Sequence, residues 1–479
     1  MRPRLLSSTR STGSRSMLPT AAMARREVPR GAHTAVGNVD RDPVELLELS
    51  SHGRIRRLVP LRYGRMLVSP FAFFRGSAIL QAHDLAGTPN TGILIPICGD
   101  AHLANFGGFA TPERTLLLDI NDFDETSTGP WEWDLKRLTT SFVLAARQTR
   151  RKRGVADDLV HSLVRTYQAR MRAYAESGIL DTWYDLVTFE RLLAEERSPE
   201  IQKRIRRGME RAADRTHEAL LPKLTRREGD RLTILDAPPA IFHAHGRTTL
   251  FDADDEVMRI QDREGVIQAA FREYLGTLAA DRRRLLLHFV HQDTAFKVVG
   301  VGSVGTRCLI QLLMDAQGKP LFLQIKEAST SVVARYFKAP GPKPSHEGRR
   351  VVEGQRLMQA ASDLFLGWTT GPFGQHFHVR QLRDMKYSVQ VELMDAELME
   401  RYARTCGWVL ARAHAKGSGR AAEIAAYLGK SDRMADALVG YANAYADQAE
   451  RDHDRFAAAC RSGRLEARTD EDMAADFRV

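Results

Sequence analysis

Gly99-Asp100-Ala101-His102-Leu103-Ala104-Asn105, with Asn121-Asp122-Phe123-Asp124-Glu125 a short way downstream, is the stretch that decides the fold. The apolar run Thr91-Gly-Ile-Leu-Ile-Pro-Ile-Cys98 predicts a buried strand ending at Gly99-Asp100. A second strand is predicted at Thr115-Leu-Leu-Leu-Asp-Ile-Asn121, with Gly107, Gly108 and Pro112 turning the chain between them. A carboxylate, an amide five residues on and further carboxylates after a hairpin are the parts that position a hydroxyl and hold a hard cation. Asp100 is the candidate catalytic base and His102 a loop-orienting partner. Asn105, Asp122 and Asp124 are the candidate metal ligands, with Asp119 nearby. A polar loop with capping side chains would explain any one of these residues. The whole set on a strand–loop–strand frame favours a site.

A second constellation lies far downstream. Gly300-Val-Gly-Ser-Val-Gly305 has the GxGxxG spacing, which alone is weak evidence. A dinucleotide fold would place a helix after the glycines and an acid about 20 residues on. Here strands flank the glycines (Lys297–Gly302, Arg307–Met314 and Leu321–Lys326), and the later position holds Lys326. A glycine loop between strands, then a lysine, suits a flap over nucleotide phosphates, with Gly300, Gly302, Ser303, Gly305 and Lys326 as its contacts. A cation on a buried strand needs an acidic partner. Glu353, in the predicted helix Arg349–Asp363, is the candidate; Glu327 faces the other side of the strand.

From these two sites the organisation follows. The chain is long enough for two or three lobes. The reading is an α+β fold with two lobes: a large helix-rich lobe over 41–290 and 396–479, and a small antiparallel β lobe over 291–395. Half of the net charge of +10 falls in residues 1–40, where seven arginines face only Glu27 and Asp40. This Ser/Arg-rich segment is expected to be a disordered tail. A transit peptide, a nucleic-acid arm or a later start at Met17 or Met23 are the alternatives, and no secretory apolar run is present. The remaining balance gives no reason to expect nucleic-acid binding. Cys98, Cys308, Cys406 and Cys460 form no CxxC pair, which fits a reducing cytoplasm. No apolar stretch is long enough to span a membrane.

The motifs resemble the protein-kinase-like superfamily, in particular its aminoglycoside and choline phosphotransferase branch. Cys98-Gly-Asp-Ala-His-Leu-Ala-Asn105 is similar to that branch's catalytic loop, Asn121-Asp-Phe-Asp124 to its metal-binding segment, and Gly129-Pro-Trp-Glu-Trp-Asp-Leu135 to a third conserved stretch. The resemblance implies Mg-ATP-dependent phosphoryl transfer to a hydroxyl acceptor, small molecule or protein. In that reading Asp100 is the base, Asn105 and Asp122 are magnesium ligands, and Asp134 braces the loop. Lys326 holds phosphates with Glu353 as partner, and Met399–Lys416 is the helix preceding the catalytic loop. Two departures stand out. Cys98 occupies the motif's first histidine position, and the glycine loop and lysine follow the catalytic loop, which implies a circular permutation. Nucleotidyl (AMP) transfer on the same fold, or a nucleotide-binding regulator without turnover, are the alternatives. A metallophosphoesterase would need a Gly-Asn-His-Asp run that is lacking. The chain beyond the tail also resembles a bacterial family of unknown function, number 2252 of its series, through Phe74-Arg-Gly76, Asn121-Asp-Phe-Asp-Glu125, Trp133-Asp-Leu-Lys-Arg137 and Tyr445-Ala-Asp-Gln448.

Weaker candidates have plain structural readings. Arg75 could reach a phosphate or form a bracing salt bridge. His376 and His378 share a strand face and read as structural, and Trp131 and Trp133 as packing beneath the loop. Arg147–Arg153 reads as a solvated helix end.

Overall fold

The computed structural model describes residues 28–229, 231–382 and 385–477. It is a mixed α+β protein in which small antiparallel sheets sit against a large helical body.

The helical body is built from both ends of the chain. The helix Glu132–Gln148 is buried over most of its length. Arg153–Glu176, Ala396–Ser418 and Arg433–Arg461 surround it, and one apolar core mixes residues from Phe71 to Ala212 with residues from Val391 to Ala449. Glycine permits the closest approach: a Cβ on Gly407 would lie 2.5 Å from the carbonyl oxygen of Leu163 on the neighbouring helix. No helix among the described residues is long and apolar enough to cross a membrane.

Four strands frame the first motif: β1 (Leu94–Ile97), β2 (Phe106–Ala110), β3 (Leu116–Ile120) and β4 (Ser127–Pro130). β1 pairs antiparallel with β4, and β2 with β3. Next come the hairpin β5 (Thr225–Glu228) and β6 (Arg231–Ile234), then β7 (Ile241–Phe242), β8 (Val290–Lys297), β9 (Cys308–Met314), β10 (Pro320–Glu327), β11 (Gly367–Thr370), β12 (His376–Gln381) and β13 (Tyr387–Ser388). A six-stranded antiparallel sheet has the order β11-β12-β10-β9-β8-β7, and β13 adds to the edge of β2. Between β10 and β11 runs the helix Glu347–Met358.

Three expectations are corrected. The strand expected at Lys297–Gly302 lies earlier, at Val290–Lys297, because Gly300 and Gly305 have φ of +65° and +86°, outside strand geometry. The 41–290 grouping is too long. β7 pairs with β8, the His217 ring stacks on Phe322 of β10, and Thr369 of β11 donates to the Ala270 carbonyl on the helix Arg263–Gly276. That helix turns Val266, Ala270 and Tyr274 toward the sheet, so the segment from about 217 to 286 packs with the small sheet.

The third correction concerns the tail. Residues 1–27 lie outside the described residues, so the expectation of disorder stands only as an expectation there. Residues 28–40 are docked: Arg30–Thr34 forms a 3-10 turn, Arg30 donates to the Tyr427 carbonyl at 2.7 Å, and buried His33 lies 2.7 Å from the Tyr427 hydroxyl. Burial, with Lys136 nearby, pulls the His33 pKa down to about 3. Between there and an ordinary histidine pKa the unfolded chain binds a proton that the folded chain does not. The stability contribution is therefore present above about pH 6.5 and lost on acidification. A melting curve series from about pH 7 to about pH 5 is expected to fall, and His33→Gln to flatten that fall. An unchanged slope in the variant would remove His33 from the account.

Candidate functional site

The loop after β1 is held by its backbone. Gly99 has φ +77°, and a Cβ there would lie 2.2 Å from the Glu125 carbonyl oxygen, so only glycine fits. The carboxylate of Asp134, on the helix Glu132–Gln148, accepts from the amides of Cys98 at 2.8 Å and Gly99 at 2.9 Å. His414 Nε2 lies 3.1 Å from the same carboxylate, and its Nδ1 lies 2.9 Å from the Tyr167 hydroxyl. Asp134 thus braces the loop, and the brace reaches it from a helix near the other end of the chain. The cysteine at position 98 packs as a buried thiol whose pKa burial drives up.

Asp100 projects from this loop into a cavity. Its Oδ1 accepts from Arg137 Nε at 2.6 Å, and Arg137 also donates to the Phe74 carbonyl and to Gln81. Burial raises the Asp100 pKa, although Arg137 opposes the rise. His102 lies beside it, with Nε2 3.9 Å from Asp100 Oδ2. Burial and the charges of Arg75 and Arg137 lower the His102 pKa well below its usual range, and among the described residues its Nδ1 has no hydrogen-bond partner. Asn105 donates its amide to the Asp100 carbonyl at 3.0 Å, leaving its side-chain oxygen free of that bond.

The second half of the site arrives from β10. Lys326, buried between Cys308 on β9 and His378 on β12, points at the segment after β3. Its ammonium lies 3.6 Å from Asp122 Oδ2 and pairs closely with Asp124. Burial works against the charge, but Asp122 and Asp124 outweigh it and raise the Lys326 pKa. His378 Nε2 lies 3.9 Å from Asp124, and burial beside Arg380 and Lys326 holds that ring neutral.

Glu353 is corrected here. It lies on the solvent side of the helix Glu347–Met358 and pairs with Arg349 at 2.7 Å, so it is not the partner of Lys326. The side chain that faces the site from that helix is Arg350, which donates to the carbonyls of Thr126, Asp124 and Ser329. Glu327, at the end of β10, pairs with Arg307 and lines the same cavity as Asp122 and Asp124, where its strand position implied the other face. Asp119 has a structural partner, accepting from Arg412.

The loop between β8 and β9 covers the cavity. Gly300, Gly302 and Ser303 line it together with Asp100, His102, Asn105, Asp122 and Asp124. Gly305 lies beside Arg54 and tethers the loop: Ile55 N donates to its carbonyl at 2.8 Å, Arg54 to that of Val304 at 2.6 Å, and Arg65 to that of Gly300 at 2.7 Å. Arg75 also lines the cavity, near Asp100. Among the described residues it forms no salt bridge, and its Nε has no hydrogen-bond partner. The cavity holds about 160 Å³.

A hard cation prefers oxygen ligands, and magnesium characteristically keeps waters and takes one or two carboxylates together with substrate phosphates. Asp122, Asp124 and the Asn105 amide oxygen fit that chemistry. Among the described residues no three His, Cys, Asp or Glu side chains gather to hold a metal ion by themselves.

The residues that the sequence reading left unassigned are Arg137, Arg350 and the role of His378. Arg137 was legible in principle, since it follows Asp134 by one helical turn and so shares its face. A family model described as "Uncharacterized protein conserved in bacteria (DUF2252)" matches residues 54–459. No curated protein and no solved structure matches the chain. The family match takes in the braced loop, the glycine loop and Lys326, and the protein belongs to this bacterial family, DUF2252.

Proposed function

We propose that the protein is a Mg-ATP-dependent phosphotransferase of permuted protein-kinase-like fold, acting on a hydroxyl acceptor in the cytoplasm. The observation that carries this reading is that Lys326 pairs with Asp122 and Asp124, residues distant from it in sequence, and that these two carboxylates line one cavity with Asp100, Asn105 and the glycine loop. Two unrelated domains would have no reason to bring these groups together. The order within the small sheet supports it too: a glycine loop between the first two strands of a hairpin, a lysine on the next, then a helix and two further strands.

In this mechanism the acceptor oxygen attacks the γ-phosphorus, its proton passes to Asp100, and the bond to the β-phosphate oxygen breaks to release ADP. The raised pKa of Asp100 suits a base, and Arg137 fixes its direction. Neutral His102 beside it adds no competing charge. Lys326 exchanges its carboxylate partners for phosphate oxygens, and Arg75 supplies a second cation. Magnesium held by Asp122, Asn105 and Asp124 would neutralise charge on the phosphates. A cavity of about 160 Å³ is smaller than the roughly 300–1,000 Å³ of small-molecule pockets, so a whole nucleotide enters only when the glycine loop lifts from Arg54 and Arg65.

Incubating the purified protein and a pool of hydroxyl metabolites with α- or γ-labelled ATP tests the reaction. Label leaving only the γ-position is the expected result. Transfer of the α-label would replace phosphoryl with AMP transfer, and bound but unconsumed ATP would make the protein a regulator.

A further inference from the structure

On the face of the six-stranded sheet opposite Lys326 lies a second cavity, of about 510 Å³. The helix Arg263–Gly276 roofs it with Phe271 and Tyr274, while Phe296, Leu309, Ile325 and Val379 on the strands form its floor. Register confirms the face: Ile325 stands opposite Leu309 and Val379, while Lys326, the next residue, points the other way. Two separate apolar clusters share this side of the sheet, one around Tyr274 and Leu323 and the other around Phe251 and Phe296. The cavity is the gap between them. The cavity opens to solvent, and its volume and apolar lining are those of a small-molecule pocket.

One polar side chain breaks the apolar floor. Gln311 is 5% exposed and lines the cavity, and among the described residues its amide makes no hydrogen bond. Its amide offers both a donor and an acceptor to whatever fills the space. Charges at the rim are matched inside the protein: Arg307 by Glu327, His243 by Asp236 and Asp293, and Glu256 accepts from Gln375. An anionic ligand would find both Arg307 and His243 already paired, and Glu256 is exposed to solvent at the mouth.

We infer that this cavity is a binding site for an uncharged, largely aromatic small molecule carrying one hydrogen-bonding group that meets Gln311. The inference is independent of the phosphotransferase reading. It is tested on the full chain with N-phenyl-1-naphthylamine, an uncharged fluorescent probe with a single N–H, and with 1-benzylnaphthalene, in which a methylene replaces that N–H. The expected result is saturable fluorescence with one dye per chain, displaced by 1-benzylnaphthalene at higher concentration. Ala270→Phe, which puts a ring into the cavity, removes saturable binding. Gln311→Leu, similar in size, lowers the preference for the amine by about fivefold, the worth of one hydrogen bond. If Ala270→Phe does not fold, the Gln311→Leu preference decides. Absence of saturable binding to the wild-type chain, or an unchanged preference in Gln311→Leu, overturns the inference.

Discussion

Asp100→Asn is expected to abolish group transfer while leaving ATP affinity nearly unchanged. Asparagine keeps the shape of the side chain and can still accept from Arg137 Nε, which lies 2.6 Å from the carboxylate in the wild type. What it cannot do is take a proton from the acceptor hydroxyl. General-base catalysis is worth roughly 10²–10⁴-fold, and the loss should fall in kcat because the base acts on the acceptor and not on the nucleotide. Arg137→Met should lower kcat less, by leaving the carboxylate in place without its direction. Steady-state kinetics with a verified acceptor decides the matter, and wild-type turnover by Asp100→Asn would strip Asp100 of its role.

Arg412→Met should cost about 3–5 kcal/mol of stability, the usual penalty for leaving one member of a buried ion pair alone. Both side chains of the pair are 1% exposed, and Arg412 Nη2 lies 2.8 Å from each oxygen of Asp119. Asp119 also accepts from the Ala360 amide at 2.7 Å, so the pair ties the helix Ala396–Ser418, β3 and the end of the helix Glu347–Met358 together. Because Asp119 precedes the Asp122 segment on the same strand, loosening it also disturbs the site. Asp119→Asn together with Arg412→Met should recover part of the loss, since no buried charge then stands alone. Urea unfolding measures both, and an Arg412→Met midpoint equal to that of the wild type would contradict this account.

The local motifs carried most of what the sequence could tell. Gly99-Asp100 after an apolar run, an Asp-Phe-Asp after a second run and a lysine after a glycine loop each have a strand-and-turn logic that needs no tertiary information. Asp134 was named through the family resemblance alone, and the structure places it in the first turn of a helix, where it reaches loop amides. Glu353 failed because its helix is oriented by the stripe Val351, Gly354, Gln355 and Met358. Glu353 lies two positions past Val351, about 200° around the axis, and so faces water. Reading that stripe first would have excluded it and left Asp122 and Asp124 as the acids for Lys326. The His33–Tyr427 pair could not be read at all: the partners are 394 positions apart, and nothing in an arginine-rich tail marks one histidine as buried. The strand β7 was missed because it pairs through only two residues, too few to show alternation.

Calorimetric titration of ATP into the full-length protein, with magnesium and again with EDTA, tests the central claim most directly. The account predicts one ATP per chain with magnesium, binding greatly weakened by EDTA, and binding lost in Lys326→Met, whose removed ammonium now lies 3.6 Å from Asp122. No ATP binding by the folded wild-type protein, or equal affinity with EDTA and in Lys326→Met, would contradict it.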